Sequence, residues 1–292
     1  MIWIIYALLS AVFSTISTIA RKKTLVKEHS ISFLSINKLF QLIIVLILIP
    51  FINFDMALST YAIVAVIAVL SVESDIFWTK SLKRLNISIA APLTNFSPVI
   101  VAVLAFFMLE EKITYLQIIG MALIVIGAYV LEADHGKDIK NVWLHIKKSK
   151  YSLMLFLSLL IGAFSSIGDR YIVGNNIVNP ISMIFWFYVF TTVLVLTIQL
   201  NDRDGFSKIK NTLKRTKFPI IVTAVSGLLT TAFYYLAIKS VYISLVMPIL
   251  LTSTLFTTVI GGEFFKEKNL FYKSVACLVM VVGVFLIIGT SI

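Results

Sequence analysis

Three ionisable side chains sit where an apolar chain has least use for them. The run VLSVESDIFWTKSLKRL, Val69 to Leu85, carries Glu73, Asp75 and Lys80 before ending in Lys83 and Arg84, and Lys38 interrupts the apolar run after Ser30. Two neighbouring carboxylates suggest acid–base chemistry, but on a helix residues two apart are turned by about 200°. Glu73 and Asp75 therefore cannot work on one group together. Helical spacing instead gathers Ser71, Ser74, Asp75 and Trp78 on one face. Lys38, Glu73 and Asp75 would lie about 10–15 Å inside their helices at 1.5 Å per residue. A charge at membrane depth costs roughly 2.5–3.5 kcal/mol on insertion scales, so pairing is expected. One reading is a structural ion pair between Lys38 and one carboxylate. The other is that the second carboxylate meets a substrate amine or exchanges a proton, and Asp75 is the better candidate.

The elements that hold these groups follow from composition. The 292 residues are 59% hydrophobic and 13% charged, with a mean hydropathy of +0.99, too few polar groups to coat a soluble globule. Apolar runs of about twenty residues cross a hydrocarbon core of about 30 Å, and in lipid a backbone satisfies itself by forming helices. The spans read as 2–20, 31–52, 57–82, 86–108, 113–131, 151–172, 180–200, 217–238, 241–263 and 269–289. The first has its basic residues after it rather than before it, the reverse of a signal peptide, and is read as a permanent helix. The lone Cys277 permits no intrachain disulfide, and His29, His135 and His145 lie apart in connecting segments, which gives no metal-binding spacing.

Of the 25 basic residues, all but Lys38, Lys112, Arg170 and Lys239 fall in or beside alternate connections, the first, third, fifth, seventh and ninth. The positive-inside rule places those connections in the cytoplasm and both termini outside it. The net charge of +11 is thus an orientation signal rather than a nucleic-acid footprint. The expected location is the plasma membrane.

The chain also repeats itself. KRLNISIAAPLTNFSPVIV from Lys83 aligns with KSVYISLVMPILLTSTLFT from Lys239 at an offset of 156, which sets Ser88 on Ser244, Pro92 on Pro248, Glu111 on Glu267 and Gly127 on Gly283. The same offset sets Trp78 on Tyr234 and gives the eighth span a stripe of Gly227, Thr230, Thr231 and Tyr234. Two halves of five spans each enter the membrane in opposite senses, an arrangement that places a binding site near the midplane between them. The expected domains are a first repeat at 1–133, a cytoplasmic linker at 134–150 and an inverted second repeat at 151–292. Pro92 and Pro248 each free a carbonyl four residues earlier, on Ser88 and Ser244. Their recurrence favours cavity lining or a hinge over packing. Asn95 shares the stripe of Ser88 and Pro92; it either bonds a neighbouring helix or contacts substrate. Asp169 and Arg170, ending the sixth span, read as a surface pair or an external gate. Glu111 and Glu267 read as structural carboxylates at the positive ends of the helices they begin.

The five-plus-five layout resembles the drug/metabolite transporter superfamily, in particular its EamA-type members. LEEKITYLQIIG from Leu109 and FKEKNLFYKSVA from Phe265 match the family's element between the fourth and fifth helix of each half, with Glu111 and Glu267 on the family glutamate. Glu110 and Lys266 stand where the family has glycine. The resemblance implies an all-α membrane protein of ten transmembrane helices in two inverted five-helix repeats. It also implies a central cavity lined by the first, third, fourth, sixth, eighth and ninth helices.

The expected function is secondary transport of a small polar metabolite by alternating access. The substrate-binding candidates are Lys38, Glu73, Asp75, Trp78, Ser88, Asn95, Thr231, Tyr234 and Ser244. One buried lysine with two carboxylates suits an amino acid or a related zwitterion or amine. An organic cation comes second through cation–π contact. A sugar phosphate or nucleotide sugar comes third, because it needs more positive charge than Lys38 alone. No phosphate-cradling loop, HExxH or nucleophile arrangement occurs, so an enzyme is not expected, and a receptor or assembly factor has no use for matched polar stripes. No cofactor or metal is expected, and proton coupling would fall to a carboxylate. The partners are a small-molecule substrate and the bilayer, with no nucleic acid, in a monomer or homodimer.

Overall fold

The computed structural model describes residues 2–25, 28–85, 94–132, 150–202, 204–253, 256 and 270–289. Regular structure among them is entirely helical: α1 (Ile2–Leu25), α2 (Ser30–Val45) continued by a 3-10 segment at Leu46–Phe51, α3 (Leu58–Leu82), α4 (Ser97–Leu109), α5 (Tyr115–Glu132), α6 (Lys150–Gly174), α7 (Pro180–Leu200), α8 (Gly205–Arg215), α9 (Lys217–Ser240), α10 (Ile243–Leu251) and α11 (Leu270–Gly289). Six of these are long and apolar enough to cross a membrane: α1, α2 with its extension, α3, α6, α7 and α9. Shorter apolar stretches lie in α4, α5 and α11. The expected fourth span is described from Thr94 onward, and the expected ninth through Ser253 and at Phe256. Large apolar side chains cover the outside, among them Ile47, Phe107 and Leu278, exposed by 73%, 75% and 65%. Such a surface is stable only against hydrocarbon.

Local chemistry sets the helix ends. Pro180 opens α7 at a position needing no N–H, and the Asn179 side chain accepts a hydrogen bond from the Ile181 amide at 3.1 Å. Glu110, at φ 54°, ends α4 in a left-handed conformation and turns the chain sharply. The consequence for Glu111 is described below.

The helices pack as α1 on α9, α3 on α6, α2 on α7 and α5 on α11, with further contacts of α1 with α10, α4 with α6, α3 with α7 and α2 with α9. Small residues and hydroxyls make these approaches close, as expected where helices associate without a hydrophobic drive. Ser74 donates to the Ser158 carbonyl at 2.8 Å and Ser165 to the Ile67 carbonyl at 3.2 Å, joining α3 to α6. Ser74 thus serves packing, although its spacing placed it with Asp75. Ser10 likewise donates to the Thr230 carbonyl at 2.9 Å between α1 and α9. On α5 and α11, Gly120 and Gly283 face each other. A Cβ on either would fall 2.7 or 2.6 Å from the other's carbonyl oxygen.

The connection after α7, read from the sequence only as a basic connection, contains the amphipathic helix α8. Ile209 and Leu213 pack onto the cluster of Phe33, Leu34, Ile36, Val195 and Ile220, while Lys210, Lys214 and Arg215 stay exposed. Thr212 donates to the buried Glu28 carboxylate at 2.7 Å, and Gln199 donates to the Gly205 carbonyl at 3.0 Å. Lys208 donates to Asp202 and holds that carboxyl below the usual carboxylate range. A helix with one apolar face and one basic face is suited to lie along a membrane surface.

Gly283→Val should separate α5 from α11 and lower stability by about 1–3 kcal/mol, the usual penalty of overpacking. At Gly289 an added Cβ meets nothing within 4 Å, so Gly289→Ala should leave the unfolding midpoint in detergent unchanged. Equal midpoints for the two variants would refute the close approach.

Candidate functional site

Five helices surround a cavity of about 330 Å³. From α1 come Ser14, Ser17, Thr18 and Arg21, and from α2 Asn37, Lys38 and Gln41. From α3 come Ser71, Asp75 and Trp78; from α7, Phe187 and Tyr188; from α9, Gly227, Thr230 and Thr231. Spacings of three, four and seven put the α1, α3 and α9 sets each on one helix face, while α2 and α7 each contribute an adjacent pair. Glycine at 227 keeps α9 close: a Cβ there would come within 2.8 Å of Gln41 Nε2.

Asp75 is the electrostatic centre. Its Oδ2 lies 3.5 Å from Lys38 Nζ and its Oδ1 lies 4.0 Å from Arg21 Nη1. The cations also lie over aromatic rings. Lys38 Nζ is 5.5 Å from the centroids of Phe187 and Tyr188, and Arg21 Cζ is 5.2 Å from that of Trp78 and 5.9 Å from that of Phe33. Backbone and side-chain bonds fix this frame. Thr79 donates to the Asp75 carbonyl at 2.6 Å, Thr192 donates to the Lys38 carbonyl at 3.1 Å, and the Tyr188 and Thr231 hydroxyls lie 2.9 Å apart. The Asp75 side chain remains 29% exposed, against 9% for Lys38, so the carboxylate looks into the opening and the ammonium is recessed behind it.

Of the residues expected to bind substrate, Lys38, Asp75, Trp78 and Thr231 line this cavity. Glu73 does not: it is exposed on the opposite side of α3, as the 200° turn requires, and it forms no ion pair among the described residues. Tyr234, one turn beyond Thr231, is buried with Tyr235 at a ring separation of 5.4 Å, away from the cavity. Asn95 is buried outside the lining, and Ser88 lies outside the described residues, as do Pro92 and Glu267. Ser244 is fully buried and donates to Glu111, so it is a structural partner rather than a lining residue.

The lining residues missing from the sequence expectation are Arg21, Asn37, Gln41, Phe187, Tyr188 and the hydroxyls of α1. A signal for those of α1 was present in the spacing of Ser14, Ser17, Thr18 and Arg21. Arg21 nevertheless stands beside Lys22 and Lys23, and adjacency alone gives all three the same orientation role. Packing brings Arg21 to the cavity, 4.0 Å from Asp75.

The other end of the bundle is closed by a second charged cluster. The turn at Glu110 directs Glu111 into the start of α10, where its carboxylate accepts from the Ile243 amide at 2.9 Å, the Ser244 amide at 3.1 Å and the Ser244 hydroxyl. Glu111 therefore caps a neighbouring helix rather than the one it precedes, and a carboxylate at such an N-terminus is well placed. Arg170 Nε lies 3.5 Å from Glu111 Oε1, and its guanidinium also donates to the Ile238 carbonyl. Asp169 points elsewhere, accepting from the Tyr235 hydroxyl at 3.1 Å. The expected surface pair of Asp169 and Arg170 is thus two buried or half-buried groups with separate partners. Among the described residues no His, Cys, Asp and Glu group could hold a metal ion.

Comparison with known proteins agrees with this architecture. An uncharacterized protein of Methanocaldococcus jannaschii is 32% identical over 135 residues, which is 45% of this chain and 97% of that protein. A crystal structure of a protein superimposes with a TM-score of 0.67 over 96% of this chain and 95% of its own, at 13% identity, which establishes likeness of fold alone. The sequence profile of the EamA-like transporter family matches residues 1–132 and 149–289. With both stretches matched and apolar helices long enough to cross a bilayer several times, the chain is a multi-pass membrane protein of the EamA-like transporter family, within the drug/metabolite transporter superfamily.

Proposed function

We propose that this protein is a secondary transporter that carries a small polar metabolite across the plasma membrane by alternating access. Its ten spans form two inverted halves, 1–133 and 151–292, and both termini lie outside the cytoplasm. The observation that carries this reading is the polar cavity itself, which holds Lys38, Asp75 and Arg21 among membrane-length helices. Ionisable groups at that depth are expensive and are kept where they handle cargo.

Packing supports the inverted halves. Exchanging the halves turns the α1–α9 contact into α6–α3, α1–α10 into α6–α4 and α2–α9 into α7–α3, and each of these pairs is in contact. The relative of about half this length is consistent with one repeat as the ancestral unit. The cavity draws on the C-terminal part of α1, the C-terminal part of α3 and the middle of α9, the side of the basic connections, so the arrangement corresponds to a cytoplasm-facing state. At the far side, Glu111 of the first half holds Arg170, Ile243 and Ser244 of the second. Opening that side requires these contacts to part. With no nucleotide-binding loop in the sequence, a gradient or exchange drives the cycle, and any coupled proton would be carried by Asp75.

Two outcomes test the cycle in proteoliposomes. Asp75→Asn should slow turnover by about tenfold or more, because removing one member of a desolvated charge cluster leaves the others uncompensated, whereas Glu73→Gln should transport normally. The reading fails if the first variant transports every substrate at the wild-type rate. In a Cys277→Ser background, Glu111→Gln should raise the reaction of Tyr234→Cys with an impermeant maleimide added outside; no increase would reduce Glu111 to a helix cap. With the same reagent, Asn175→Cys should be modified from outside and Asn211→Cys should not, and the reverse pattern would invert the topology.

A further inference from the structure

We propose that the cargo is a small organic anion, whose carboxylate or phosphate group binds between Arg21 and Lys38. This rests on the transporter reading above and specifies the chemistry of its site. Among the described residues the charged groups lining the cavity are Arg21, Lys38 and Asp75, so this part of the lining carries one more positive charge than negative. Asp75 divides itself between the two cations at 3.5 and 4.0 Å, distances too long for strong charge-assisted hydrogen bonds. An ammonium has three donors and a guanidinium five. Among the described residues the guanidinium of Arg21 donates no hydrogen bond. One carboxylate therefore leaves donors directed at the cavity, and a second anionic group is what would satisfy them.

The same geometry argues against a cation. Aromatic faces attract cationic ligands, but Trp78 is already covered by Arg21, and Phe187 and Tyr188 by Lys38. An incoming amine would meet occupied rings and two like charges. A zwitterion with no net charge would leave the surplus positive charge of the described lining unbalanced. Two further features define the ligand. The carbonyl oxygens of Asn37 and Gln41 are buried without a hydrogen-bond partner, in residues of the lining. Unpaired buried acceptors call for donors, so the anion also carries a hydroxyl or amino group. At about 330 Å³ the cavity is at the small end of the roughly 300–1,000 Å³ typical of ligand pockets, which suits a small metabolite. Asp75 then acts as a resident counter-ion that the cargo displaces from Arg21 and Lys38.

The test uses full-length protein in proteoliposomes with four radiolabelled probes in counterflow: glutamate, glycerol 3-phosphate, glutamine and choline. Thermal-shift titrations of the same four report binding separately from flux. Glutamate or glycerol 3-phosphate should be bound and exchanged, glutamine and choline should not, and the two anions distinguish a carboxylate site from a phosphate site. Arg21→Gln should weaken anion binding about tenfold or more, the scale of one lost charge-assisted contact. Arg21→Lys should retain the selectivity for anions, which guards against a folding defect. Asp75→Asn should tighten anion binding even as it slows turnover, the opposite of what a cation site would do. Exchange of choline or glutamine without either anion would overturn this inference and leave the transporter reading intact. Failure of all four to bind or exchange would count against both.

Discussion

Placing charge inside an apolar bundle is the constraint around which this structure is organised. Arg21, Lys38 and Asp75 come from three different helices and meet in one cavity, and no helix could hold its own charge at that depth without the others. The trio therefore fixes the relative rotation of α1, α2 and α3. It also fixes where water must be admitted, because Asp75 is partly exposed and the cations are recessed against aromatic rings.

Support comes from residues with little chemistry of their own. Hydroxyls on α3, α6 and α1 bond to carbonyls of neighbouring helices, and glycines at 120, 227 and 283 remove side chains where backbones or amides come close. In lipid these contacts replace the hydrophobic drive of a soluble core. Closure comes from Glu111, whose carboxylate satisfies the orphan amides at the start of α10 and pairs with Arg170. The two charged clusters join different helices: Arg21, Lys38 and Asp75 link α1, α2 and α3, while Glu111 links Arg170 of α6 to the start of α10.

The sequence was informative in proportion to the periodicity of its signals. Among the described residues the six membrane-length helices followed closely from apolar run lengths, and Asp75, Trp78 and Thr231, which helical spacing put on polar stripes, line the cavity. Glu73 was correctly separated from Asp75 by angle, yet it was kept as a candidate because depth alone cannot say whether a face looks inward. Arg21 was hidden in a basic cluster whose members are chemically alike. Ser244 looked like a cavity hydroxyl because its repeat position suggested one, and its true partner lies 133 residues away. The helix α8 lay unassigned in a connection between spans because its apolar positions are few, and its packing depends on a surface built by α2, α7 and α9.

The sequence by itself determined the hydrophobic lengths, the charge asymmetry and the family, because each is a property of residue type and spacing along one chain. Tertiary structure decided which charges meet. A one-dimensional pattern gives the face a residue occupies on its own helix, but whether that face turns to lipid, to a neighbour or to a cavity depends on how the helices are rotated against each other. That rotation assigned Glu73 to the outside, Arg21 to the cavity and Glu111 to the start of another helix.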